Sequence, residues 1–273
     1  MNKSIKLFIC LLFVVKIDIA QTITTFDDHF LQELANYQVK DLSQFMDRFN
    51  YKEHMVFKND TVSNRYKNLI SLFNIRDTAL RRDSNVMSFI KYVCDEHNNI
   101  KISFKDTNWY AIAHCIFLYH GKEKTVNIIL KPEMTSNNGY YWAIVGVQSD
   151  LFTPEKKGKT FSAFINPMNH EVNFSELSKA LLKRKDVYEY TSASYKPDPT
   201  SAFFAYVKNG DLQFRQIKSI DFDFLQVTGW FFSVKEFFRI DLNSGWLIFL
   251  LQKMNAQEKE KFVKNISLNN SRL

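Results

Sequence analysis

The chain reads as an α+β protein, helices first and an antiparallel sheet after them, on three observations. Between Leu31 and Val93 the apolar residues recur in steps of three and four, the period of an amphipathic helix. After Asn98-Asn99 the period drops to two: Ile100, Ile102 and Phe104 alternate, and Trp109 to Tyr119 carries two half-buried faces. Turn residues then punctuate the β-prone stretches, at Gly121, at Asn138-Gly139 and at Asn209-Gly210.

In chain order, Lys3 and Lys6 precede nine unbroken apolar residues, Leu7 to Val15, and Ala20 stands before Gln21. Residues 1–20 therefore read as a secretory signal peptide. Nine residues reach only about 14 Å as a helix, roughly half a bilayer core. Leu31, Leu34, Leu42, Phe45 and Phe49 form one stripe, Gln38 fills its polar slot, and Thr25 with Asp28 caps its start. A second helix covers about 64–73 through Leu69, Ile70, Leu72 and Phe73. A third covers about 84–96 with Val86, Phe89, Ile90 and Val93 inward. Strands follow at Trp109–Tyr119, Thr125–Leu130 and Tyr140–Val147.

Pro154, Gly158 and the charges between them make 151–160 a linker between two halves, 21–150 and 161–273. The second half predicts a strand at 161–165 and a helix at about 174–183, capped by Asn173 with Glu176. Ala202–Lys208 and Leu212–Ile217 flank Asn209-Gly210 as a hairpin. Phe222–Thr228, Trp230–Phe238 and Trp246–Leu251 continue the sheet, and a charged helix at about 255–264 closes it.

The last strands of the halves echo each other. Asn138-Gly139-Tyr140-Tyr141-Trp142-Ala143-Ile144 and Asn243-Ser244-Gly245-Trp246-Leu247-Ile248 both run from turn residues through Trp to an apolar residue and Ile. With helices preceding a curved sheet, this pattern resembles the NTF2-like (SnoaL-like, cystatin-like cone) fold over about Thr24–Gln148 and part of 161–254. The resemblance implies N-terminal helices packed on a curved antiparallel sheet with a pocket beneath them. A second, related or partial antiparallel sheet plus helix unit follows. Phrases such as Phe45-Met46-Asp47-Arg48-Phe49-Asn50 also resemble uncharacterised exported proteins of Bacteroidetes. That likeness implies a periplasmic or extracellular address and supplies no activity.

Composition narrows the function classes. Of 273 residues, 45% are hydrophobic and 24% charged, which excludes a disordered, collagen-like or polytopic membrane chain. Signal cleavage removes three lysines and one aspartate and lowers the formal charge from +7 to +5. Clusters such as Arg76, Arg81 and Arg82, or Lys183, Arg184 and Lys185, then read as solvated charge, and nucleic acid is not an expected partner. No GxGxxG, GxxxxGK[ST] or GxSxG occurs among seven glycines, so no cofactor is expected. No stretch of the mature chain is apolar for long enough to span a bilayer. Cys94 and Cys115 read as free thiols, with pairing left open.

The candidate chemistry centres on one strand. Tyr110, Ile112 and His114 share a face, and an NTF2-like cone implies that one face lines the pocket. His114 is the candidate general base, with Asp106 as its partner, and Tyr110, His114 and Trp142 are the candidate pocket residues. His114 and adjacent Cys115 point to opposite faces, which argues against a thiol–imidazole pair. His170-Glu171 lacks the second His of a zincin, because Phe174 stands there; no metal site is expected. The leading expectation is a non-catalytic binding or interaction module using a cone pocket or an aromatic interdomain surface. Its ligand is an unknown small molecule, glycan or protein. The alternatives are a small-molecule enzyme (isomerase, dehydratase or hydrolase) and a host-facing adhesin or effector. The 26 Phe, 12 Tyr and 4 Trp pose a further question. Phe222, Phe224, Phe231, Phe232, Phe237 and Phe238 lie on both strand faces, so they are either buried on two sides or exposed as a strip.

Overall fold

The computed structural model describes residues 33, 37–52, 62–152, 178, 181–182, 198–240 and 242–267. Six helices and seven strands account for most of them. The helices are α1 (Leu42–Phe49), α2 (Val62–Ile70), α3 (Thr78–Arg82), α4 (Ser84–Cys94), α5 (Pro199–Lys208) and α6 (Ala256–Ser267). The strands are β1 (Gln38–Val39), β2 (Trp109–Tyr119), β3 (Lys122–Met134), β4 (Tyr140–Gln148), β5 (Leu212–Phe224), β6 (Trp230–Phe237) and β7 (Ser244–Lys253). They form one sheet in the order β1-β7-β6-β5-β2-β3-β4, so the fold is mixed α+β.

Two compact units share the chain. The first draws on 1–112, 131–142 and 219–260, the second on 113–130, 143–218 and 261–273. In the first unit, Asp41 caps α1 by accepting from Gln44 N–H at 2.8 Å, while Gln44 Oε1 accepts from Lys40 N–H at 3.1 Å. These two bonds start the helix, whose buried face carries Phe45, Met46 and Phe49. Phe45 and Phe49 meet Phe232 with ring centres 6.4 and 5.7 Å apart, and Phe89 of α4 meets Trp230 edge-on at 5.3 Å. A cluster of phenylalanines thus sits within a core otherwise made mostly of Val, Leu and Ile. At its edge β1 runs parallel to β7, Val39 beside Gly245, and Asn243 donates to the carbonyls of Ser71 and Phe73.

In the second unit Phe203 of α5 is buried between Phe117 and Phe152, both edge-on, at 5.6 and 6.3 Å. Tyr206, one turn on, stacks on Tyr119 at 5.7 Å.

Several expectations are corrected. Gln38 does not fill a helical slot: it belongs to β1, and the helix begins only at Leu42, behind the Asp41 cap. Residues 202–208 are helical, not strand. Asp198 accepts from the N–H groups of Thr200 and Ser201, Pro199 sits in the first turn, and Asn209 and Gly210 close the helix by donating to Ala205 and Val207 carbonyls. Asn-Gly here ends a helix rather than turning a hairpin. The strand expected to start at Phe222 is the end of β5, which runs unbroken from Leu212. The described strands join a single sheet, where a sheet in each half was predicted. Ser178, Leu181 and Leu182 are helical within the expected 174–183 helix. The signal peptide, the Thr25 cap, most of the linker and the 161–165 strand lie outside the described residues.

Candidate functional site

The residues that converge with exposed chemistry lie in the first unit, where aromatic side chains from β2, β4, β5 and β7 form a continuous run. Its floor is Trp109, 2% exposed, stacked on Phe224 at 5.4 Å with rings 12° apart. Trp142 of β4 meets Trp109 edge-on at 4.7 Å and Phe222 at 6.2 Å, and Phe222 reaches Trp246 at 5.1 Å. Phe104, in the turn before β2, packs edge-on against Trp109 at 5.8 Å. The floor is closed to water, but Trp142 is 40% exposed, and Phe104 and Tyr140 are exposed beside it. Edge-to-face and offset contacts at these spacings hold the rings in fixed orientations.

Local structure aims Trp142. The turn before β4 closes through Thr135 N–H to Gly139 O at 2.8 Å and Gly139 N–H to Thr135 Oγ1 at 2.9 Å. Asn138 adopts φ +60° there, a conformation Asn tolerates better than most residues. On the opposite face of β4, the Tyr141 hydroxyl donates to Glu133 at 2.8 Å; that bond holds the phenol's pKa above its usual value. Among the described residues, Trp109 Nε1–H is a buried donor with no hydrogen-bond acceptor.

Each unit also carries a cleft among its described residues. One of about 660 Å³ in the second unit is lined by Lys124, Asn127, Ser149, Asp150 and Phe152, among others. There Lys124 Nζ bonds Asp150 at 2.7 Å and holds that carboxyl below its usual pKa. The other, about 350 Å³ in the first unit, carries Arg48, Arg65, Cys94 and Glu96. Arg65 pairs with Glu96 at 3.1 Å and lies over the Tyr51 ring. Burial pushes the Cys94 thiol up to about 12 and raises the Cys115 thiol as well, so neither supplies a thiolate near neutral pH. Both are free cysteines.

The sequence-derived candidates are placed as follows. His114 is half-buried on β2, and its Nδ1 bonds Asn127 Oδ1 at 2.9 Å. An amide oxygen only accepts, so the proton sits on Nδ1. The amide thereby fixes the tautomer. Asp106 accepts from the Asn108 N–H at 2.7 Å in the turn before β2. Tyr110 is buried on the face of β2 opposite Trp109, and the Lys131 ammonium lies 5.8 Å from its ring centre. Trp142 joins the Trp109 side. Sequence reasoning missed Phe104 and Trp246 as members of this run; the repeated Gly-then-aromatic opening of β4 and β7 was the available signal.

Among the described residues, no cluster of three or more His, Cys, Asp or Glu could hold a metal ion, and no helix is long and apolar enough to cross a membrane. Comparisons with family models, with curated proteins and with solved structures give no match.

Proposed function

We propose that this chain is an exported, non-catalytic binding module of NTF2-like type, and that the aromatic run around Trp142 receives the flat apolar face of its ligand. One observation carries the reading. Trp142 stands 40% exposed on a floor that is itself fully packed, so a ligand can stack there without the protein rearranging. Isolated exposed aromatics are ordinary; a row anchored on a buried tryptophan costs little side-chain entropy when it binds. Tyr140, two residues away on the same face of β4, and Phe104, packed on Trp109, extend the exposed apolar surface.

Tryptophan fluorescence tests this directly. Titration with neutral oligosaccharides and with a planar aromatic probe is expected to shift the emission of the mature protein. Trp142→Ala should weaken the best ligand by about 5- to 150-fold, the equivalent of about 1–3 kcal/mol for one stacking contact, and leave the circular dichroism spectrum intact. Equal binding by Trp142→Ala would sink the proposal.

A further inference from the structure

The cleft of the first unit is layered. Its base carries Arg48, Phe49, Leu69 and Val93, all buried, and its rim carries Asp95, Glu96, Asn99 and Lys101, all exposed. At about 350 Å³ it has the size of a small-ligand pocket, with a few polar groups set among apolar ones. Tyr51 and Asn99, which both line it, take φ of +55° and +43°. Residues other than glycine adopt such angles rarely, and often where a site holds them. Charge decides what fits. Carbonyls at the ends of α1 and α4 are bonded, those of α1 by the N–H groups of Asn50, Tyr51 and Lys52, those of α4 by the Asp95 N–H and the Asn98 side chain. Glu96 pairs with Arg65, and Asp95 accepts from the His97 N–H. Among the described residues, Lys101 has no ion-pair partner.

We infer that this cleft binds a small amphipathic carboxylate, its head on the Arg48 guanidinium and its apolar body against Phe49, Leu69 and Val93. Arg48 is 5% exposed, with Ser71 Oγ and the Gln38 carbonyl each 3.4 Å from its nitrogens. Burial lowers its pKa to about 10, so the cation is costly where it stands. An anion brought beside it offsets that cost. A guanidinium is planar and grips a carboxylate through two parallel N–H bonds, which an ammonium does not match. Lys101 adds positive charge at the mouth. The cleft shares no residue with the aromatic run around Trp142, and neither reading depends on the other.

The experiment uses the full mature chain. Calorimetric titration compares octanoate with octanamide, and phenylacetate with phenylacetamide, pairs that differ in charge at the head. Each acid should bind about 10- to 100-fold more tightly than its amide, the worth of hydrogen bonds to a charged group. Cys94 lines the same cleft and reports position. Saturating octanoate should slow its alkylation by iodoacetamide at mildly alkaline pH, mapped by peptide mass, and leave that of buried Cys115 unchanged. Arg48→Gln should bring each acid close to its amide. Because Arg48 is buried, Lys101→Glu on the exposed rim supplies a second variant that leaves the packing alone; it should weaken octanoate about threefold and octanamide not at all. Acid and amide that bind the wild type equally overturn the inference. So does octanoate that binds without protecting Cys94, an acid preference retained in natively folded Arg48→Gln, or wild-type octanoate affinity in Lys101→Glu.

Discussion

Gly245 shows how much can rest on one missing side chain. It has φ +85°, and a Cβ built there would lie 2.0 Å from the Val39 carbonyl oxygen of β1, which runs beside it. Gly245→Ala therefore meets both backbone strain and a collision with a main-chain atom that has no side chain to rotate away. Gly210 has nearly the same φ, +80°, with nothing near its would-be Cβ. Gly210→Ala should cost the strain alone, about 1–2 kcal/mol, and Gly245→Ala at least 1–3 kcal/mol more. Chemical denaturation of both variants measures the difference; equal losses would mean that β1 does not crowd this glycine. From the sequence, Gly245 was readable as a turn residue before Trp246. The clash was not, because it depends on a two-residue strand that no periodicity announces. The candidate site has the same limit. Alternation along β2 is readable and correctly separates Tyr110 from Trp109, but which face receives Trp142 depends on how β4 approaches, and that is a tertiary fact.

The elements divide by how local their causes are. β2 is found at its full extent, Trp109–Tyr119, because its length and β-branched and aromatic content are strong, and α4 because Asp83 caps a clean 3.6-residue stripe. α5 misleads because Phe203, Phe204, Tyr206 and Val207 favour strands, and Asn209-Gly210 suits a hairpin as well as a helix end. What decides it lies upstream. Asp198 accepts from the Thr200 and Ser201 N–H groups and from the Ser201 hydroxyl, and Pro199 presets the first turn. Asp198→Ala should destabilise the protein by about 1 kcal/mol, the usual worth of such a cap. Its pH dependence follows from the same bonds. Those from Ser201 foremost hold the carboxyl below its ordinary value of 3.8, so the unfolded chain takes up this proton first. The cap's contribution is then fully present above the unfolded pKa and is lost as pH falls through the folded one. The wild-type advantage over Asp198→Ala should be constant from pH 5 to 8 and vanish in strong acid. A difference that persists there would assign the effect to helix propensity instead.

At the scale of the whole molecule, the aromatic excess resolves into packing that is remote in sequence. Phe224, Phe231 and Phe232 are buried, Phe222 and Phe237 half-buried, and Phe238 alone of the six stands 84% exposed. The buried ones meet partners from the other end of the chain: Phe45 packs against Phe224 and Phe232, Phe49 and Phe89 against Phe232, and Trp109 against Phe224. The first unit accordingly needs 219–260 together with 1–112. A fragment covering 21–150 keeps α1 to α4 but lacks β5, β6 and β7, against which those rings close. Exposing a core phenylalanine costs about 1.5–3 kcal/mol. Uncovering Phe45, Phe49, Phe89 and Trp109 together would consume most of the 5–15 kcal/mol by which a domain is stable. The 21–150 fragment should therefore lack protected amides in α1 and α4 and bind a dye specific for exposed apolar surface. Adding 161–273 in trans should restore protection, because the missing strands return without a covalent link. Native-like hydrogen exchange in 21–150 alone would show that the helices close their core without β6, against the ring contacts that define it.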